Sequence, residues 1–159
     1  VAQLAQVETP QTGLEKVFRA DVVVGPVVDY GITSAGRRRV VPILGGELSE
    51  GIDAEVLEGG ADWQVLRADG VLEIDTRYSA RTSEGELLHL RTRGLRTGPP
   101  GVLEALLRGD SIPPSDYYFR VVVTLETAAP RFASLQDSII VAAAARTANL
   151  VGYDAYRVT

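Results

Sequence analysis

GADWQVLRADGVLEIDTRYSARTSEGELLHLRTRG, residues 60–94, reads as three strands joined by two hairpins. Ala68-Asp69-Gly70 and Ser83-Glu84-Gly85 supply the turns, because glycine accepts the positive φ that tight turns need. Side chains alternate across a strand, so Asp62 and Gln64 share one face of the first strand, and Glu73, Asp75 and Arg77 share one face of the second. On the third, His89, Arg91 and Arg93 fall together. A sheet face that carries charges of both signs either meets water or encloses a site, and the alternation alone leaves both readings open.

The pattern continues outward in both directions. Val17, Phe18 and Val22–Val24 make a β-branched run that Gly25-Pro26 ends, bends or confines to an edge. Val40, Val41, Ile43 and Leu44 follow, with Gly45-Gly46 marking a bulge or a close backbone approach. Ile52, Ala54 and Val56 alternate with Asp53 and Glu55. Downstream, Val102, Leu103, Leu106 and Leu107 have helical spacing, entered through Gly98-Pro99-Pro100-Gly101 and stopped by Gly109. Phe119, Val121, Val123 and Leu125 then define the apolar face of a strong strand. Two more strands are expected in the C-terminal segment, where Ala142–Ala145 could also be helical but Ile139–Val141 before it favours a strand.

Eight to ten short strands with glycine turns and one short helix predict an all-β chain. The expected fold is an antiparallel up-and-down, lipocalin-like β-barrel, which removes exposed sheet edges, with a capping helix near 101–109. Residues 1–13 read as a flexible lead-in and 14–159 as a single barrel domain, consistent with a length of 159 residues.

Composition narrows the function. Hydrophobic residues make up 45% and charged residues 23%, which is globular. A net charge of −5 disfavours a nucleic-acid partner. The lack of cysteine excludes thiolate chemistry and leans towards the cytoplasm. VAQLAQVETPQTG has neither a basic nor a long apolar stretch, so no signal peptide is expected, and no membrane span is expected from the remaining apolar runs. One histidine excludes multi-histidine metal centres, and phosphate-cradling and dinucleotide motifs are missing, so neither a metal nor a cofactor is expected.

Acid–base and electrostatic chemistry remains. Asp62 and Asp75 are the candidate acids or bases, with a structural ion pair or a turn cap as the plain alternative. Tyr78 is a candidate acid or oxyanion donor, and His89 a candidate base or an ordinary hydrogen-bonded strand residue. Arg91 and Arg120 lie mid-strand among apolar neighbours, where an arginine needs a carboxylate or a ligand anion. Arg38 belongs to the run Arg37–Arg39, which reads as a solvated strand end or a grip on an anionic substrate. Trp63 and Tyr118 are candidate walls for a ligand, although large aromatics also serve cores and interfaces.

The blocks LEKVFRADVVVGPVVDYG, GRRRVVPILGG, GADWQ, LEIDTRYSARTSEGELL, RTRG, DYYFR and LETAAPRFASLQDSI, in that order, resemble the bacterial and fungal domain of unknown function numbered 3237, also called uncharacterised protein family 0311. The resemblance runs from about residue 14 to the end and implies a compact, lipocalin-like barrel that often forms small oligomers. By position it emphasises Gly46, Asp62, Trp63, Asp75, Tyr78, Gly94, Tyr118, Phe119, Arg120 and Glu126. The chain departs from the family pattern at Ser134-Leu135-Gln136, where a Trp-Leu-Asn block is usual, and at His89, where an aromatic is common; Gln136 therefore joins the candidate binding residues.

Two functions follow as expectations. One is a cofactor-independent lyase, isomerase or cyclase that acts on a small carbonyl-bearing or aromatic metabolite. The other is a barrel that binds a hydrophobic or aromatic ligand without converting it. Both take a small molecule as partner, and a homo-oligomer is expected in either case.

Overall fold

The computed structural model describes residues 2–159, and its strands close into a barrel. The strands are β1 (Leu14–Val24), β2 (Val28–Thr33), β3 (Gly36–Ser49), β4 (Ala54–Val56), β5 (Ala61–Leu66), β6 (Leu72–Thr82), β7 (Leu87–Thr97), β8 (Tyr118–Thr127), β9 (Ile140–Arg146) and β10 (Leu150–Val158). Antiparallel pairing runs β1–β10–β9–β8–β7–β6, then through β4 and β5 side by side to β3, and β3 returns to β1. This is a closed barrel of eight positions, with β2 attached only to β3. Closure leaves no edge among the eight, which is the advantage the short alternating strands imply.

Alternation decides which residues go inside. Phe18, Ala20, Val22 and Val24 of β1 are buried while their neighbours are not, and Phe119, Val121, Val123 and Leu125 do the same on β8. Each fully buried leucine or phenylalanine contributes about 1.5–3 kcal/mol by leaving water. The Ala142–Ala145 run lies within β9, with Ala142 and Ala144 inward. Phe18 meets Tyr153 edge to face, with ring centres 6.0 Å apart.

Two glycines let strands approach where a side chain would forbid it. Gly46 has φ 133°, and a Cβ there would collide with the Asp21 carbonyl oxygen across the β1–β3 bulge. Gly94 would strike the Arg120 carbonyl oxygen of β8 in the same way. The hairpin turns fall at the expected glycines, with Gly70 at φ 86° and Gly85 at φ 83°. Gly25-Pro26 separates β1 from β2, which then runs on along β3.

The helix α1 (Pro100–Leu107) crosses from β7 towards β8 and buries Leu103, Ala105 and Leu106. Leu103 reaches the Gly70 turn, and Gly109 lies against Ala148 of the β9–β10 turn, so α1 lies across one end of the barrel. A second helix, α2 (Ala133–Gln136), was not expected from the sequence. It is one turn long and follows Pro130, too short for a periodic signal.

Candidate functional site

The inner wall at the α1 end of the barrel is polar. From β5, Asp62 and Gln64 point inward; β6 adds Thr76 and Tyr78, β7 adds Thr92 and Arg96, and β9 adds Arg146. They surround a cavity of about 40 Å3, whose other wall is aliphatic, with Val22, Val24, Val41, Ile43 and Ile74. One water needs about 10–15 Å3 by this measure and a benzene-sized ligand about 150 Å3, so the space suits a functional group and not a ring.

Asp62 is the carboxylate of the cavity. Gln64 Nε2 donates to its Oδ2 at 2.8 Å, and the Asp75 backbone N–H donates to its Oδ1 at 3.1 Å. The residue as a whole keeps some exposure, yet its carboxylate is ringed by protein. Burial pushes the carboxyl above its ordinary value, while bonds from Gln64, Asp75 N–H and Thr76 and the field of Arg96 hold part of that rise back. An Asp in such a place can exchange a proton nearer neutral pH than a surface Asp can.

Three guanidiniums face this carboxylate. Arg96 is 1% exposed, and its Nε finds no hydrogen-bond partner. Burial, then repulsion from Arg146 and Arg39, lowers Arg96 to about 10. Arg39 is also buried, with Nη1 unpartnered, and burial followed by Arg146 lowers it as well. Arg146 donates from Nε to the Thr147 carbonyl at 3.1 Å and from Nη2 to the Ala148 carbonyl at 3.3 Å. Among the described residues none of the three forms an ion pair.

The hydroxyls of Tyr78 and Tyr153 share a short hydrogen bond in the cavity wall. Burial raises both phenols, so both stay protonated. Two hydroxyls that share one bond use one hydrogen between them and leave the other free to donate.

The other residues singled out from the sequence lie elsewhere. The two strand faces that looked alike in sequence point in opposite directions: Asp62 and Tyr78 face in, whereas Asp75, His89, Arg91 and Arg120 face out. Asp75 accepts from Arg91 Nε at 3.1 Å and Nη2 at 3.4 Å on the outer wall, with Arg77 3.9 Å away. That is the plain ion-pair alternative for both residues. His89 is exposed, opposite Ser79 and Glu126. Arg120 stacks over the ring of Tyr118 at 5.1 Å, and Tyr118 is 53% exposed. Gln136, on α2, accepts from the Thr127 N–H at 3.1 Å and stays outside the barrel. Trp63 is 40% exposed and shares a shallow outer groove with Arg38 and Asp75. An inward Asp62 requires an outward Trp63, because neighbours on a strand alternate.

The alternation did carry a signal for the residues that were missed. Leu88, Leu90 and Thr92 form the inward series of β7, and Arg96 continues it past Gly94; Arg39 stands in the series of Val41 and Ile43. Treating Arg37–Arg39 as one charge run obscured the fact that its members point alternately in and out.

The chain is a closed antiparallel β-barrel whose interior holds a cavity walled by an aspartate, arginines and tyrosines on one side and aliphatic residues on the other. Among the described residues no group of three or more His, Cys, Asp or Glu could hold a metal ion, and no helix is long and apolar enough to cross a membrane. The chain belongs to the family described as protein of unknown function (DUF3237), whose model matches residues 12–158. It is similar to the conserved protein of unknown function RPA1785 from Rhodopseudomonas palustris, whose crystal structure has a TM-score of 0.89 at 35% identity over 96% of this chain and 100% of that one. A β-barrel-like protein from Acinetobacter baumannii gives 0.83 at 36% identity, covering 97% and 100%. A crystal structure of an enzyme from Penicillium herquei shares the fold at a TM-score of 0.67 and 20% identity, covering 96% and 99%.

Proposed function

We propose that the protein is an enzyme of the lyase, isomerase or cyclase type that moves a proton on a small carbonyl-bearing metabolite whose reacting end enters the barrel. Asp62 removes or returns the proton. Arg96 and the spare hydrogen of the Tyr78–Tyr153 pair stabilise the negative charge that develops on the carbonyl oxygen. The observation that carries this reading is the buried Asp62 carboxylate, raised above its ordinary value, beside a buried and unpartnered Arg96 in one cavity. The Penicillium herquei protein, described as an enzyme, is consistent with a reaction on this fold but says nothing about which one.

In an enolisation, the Asp62 carboxylate takes a proton from the carbon next to the carbonyl. The C–H electron pair becomes the C=C bond, and the carbonyl oxygen takes up the charge facing Arg96. Returning the proton to the same or another carbon completes an isomerisation or exchange. The test is exchange of carbon-bound hydrogen for deuterium in D2O, followed by proton NMR, with pyruvate, acetoacetate and acetone as probes. Wild type should accelerate exchange on at least one probe, and Asp62→Asn should lose about 10²–10⁴-fold of that acceleration. Asp75→Asn, on the outer wall, should leave it unchanged. Equal rates for wild type and a folded Asp62→Asn would refute the reading, and so would binding without any conversion, which is the behaviour of a carrier barrel.

A further inference from the structure

We infer that the cavity is an anion seat and that its ligand carries a carboxylate, held by the guanidinium of Arg96. The inference rests on the cavity being the site proposed above, and it adds the class of compound that the site takes; with a carboxylate on the Arg96 fork, the enolate oxygen takes its hydrogen bond from the Tyr78–Tyr153 pair and feels Arg96 through its charge alone.

Charge is the first argument. Arg39, Arg96 and Arg146 bring three positive charges to one end of the barrel interior; Asp62 supplies at most one negative charge among them, and Asp29 on β2 offsets part of Arg39 alone. A buried cation without a counter-ion is costly, and each of these three raises the cost of the others. A ligand anion removes that imbalance.

Donor geometry is the second. Arg96 lines the cavity, is nearly inaccessible and has an unpartnered Nε. A guanidinium edge offers two parallel N–H donors that match the two oxygens of a carboxylate. Arg146 also lines the cavity, but the edge formed by its Nε and Nη2 is already engaged by the Thr147 and Ala148 carbonyls, whereas the same edge of Arg96 is free. Arg39 is not a lining residue and contributes through its charge.

The third argument is an acceptor in the same cavity wall. Gln64 is 3% exposed and gives its amide N–H to Asp62, which leaves its Oε1 buried and unpartnered at the cavity wall. A ligand that satisfies both orphan groups presents an anion to Arg96 and a hydrogen-bond donor, such as a hydroxyl, to Gln64. A small hydroxy acid, or the enol form of a keto acid, has both. The volume of about 40 Å3 accommodates that end of the molecule.

The test compares matched pairs that differ chiefly in charge: acetate with acetamide, glycolate with glycolamide, and lactate with lactamide. Binding is read by calorimetry and by chemical-shift changes, at constant ionic strength set with sodium chloride. Wild type should prefer each carboxylate to its amide, and glycolate to acetate. Arg96→Gln should weaken carboxylate binding at least about tenfold and amide binding by much less, so that the preference for the carboxylate of each pair collapses. Arg96→Lys keeps the charge without the fork and should fall between the two.

If wild type binds amides as well as carboxylates, or if folded Arg96→Gln binds carboxylates undiminished, the anion seat is wrong, and Asp62-dependent exchange on a neutral ketone such as acetone would still support the proposed reaction. If the carboxylates bind through Arg96 while Asp62→Asn exchanges at the wild-type rate, the reaction is wrong and the anion seat stands.

Discussion

Arg96→Met should make the protein more stable, although Arg96 is among its most deeply buried side chains. The fall from the ordinary guanidinium value to about 10 corresponds to about 3 kcal/mol set against the charged form in the native state. Because the value is lowered on folding, this cost is fully present below about pH 10 and fades as pH climbs further towards the ordinary guanidinium range, where the unfolded chain also loses the proton. The native state recovers part of it through the Phe119 ring, 5.9 Å from the guanidinium, a contact worth about 1 kcal/mol. Methionine has similar reach, no charge and no donor to leave unpaired, so it keeps the packing and removes the cost.

The net gain is about 2 kcal/mol, or roughly 4–8 °C in Tm for a chain of this length. Differential scanning calorimetry at pH 7 measures it, with urea unfolding followed by the single Trp63 as a second probe. The same variant should lose its preference for carboxylates. A Tm several degrees below wild type, with an unchanged circular dichroism spectrum, would refute the reasoning, because it would mean that Arg96 is fully satisfied by the fold and is not held in readiness for a ligand.

Asp62→Asn tests the other charge. Burial raises the Asp62 carboxyl, so the native state binds a proton more tightly than the unfolded chain, and wild-type stability falls as pH rises from the ordinary carboxylate range through the raised value. The Asn variant should lack that slope, and melting curves between about pH 3.5 and 7 would show the two stabilities diverging in its favour. Tyr78→Phe strands the Tyr153 hydroxyl in the wall and should cost about 1–2 kcal/mol, whereas Tyr78→Phe with Tyr153→Phe should recover most of it; urea midpoints give the cycle. Gly94→Ala places a methyl against the Arg120 carbonyl oxygen and should destabilise by about 2–3 kcal/mol through forced separation of β7 from β8. Thermal unfolding of that variant decides the point.

The barrel itself was legible in the chain. Period-two alternation over residues 60–94, glycines at 70 and 85, and the apolar series from Phe119 to Leu125 each specify a strand or a turn from local chemistry, and the structure has them where that chemistry puts them. Even the relation between Asp62 and Trp63 was determined, since one must face in if the other faces out. What alternation cannot supply is the sign: it sorts residues into two faces without saying which one the barrel closes over. Asp75, Arg91 and Arg120 looked as suitable as Asp62, and only the closure of β3 on β1 turned Asp62 towards the cavity and the other three towards the outer wall. The same closure gathered Arg39, Arg96 and Arg146 from three strands distant in sequence into one field around Asp62. Their meeting is a property of register and curvature summed around the whole ring, and no local window of the sequence contains it.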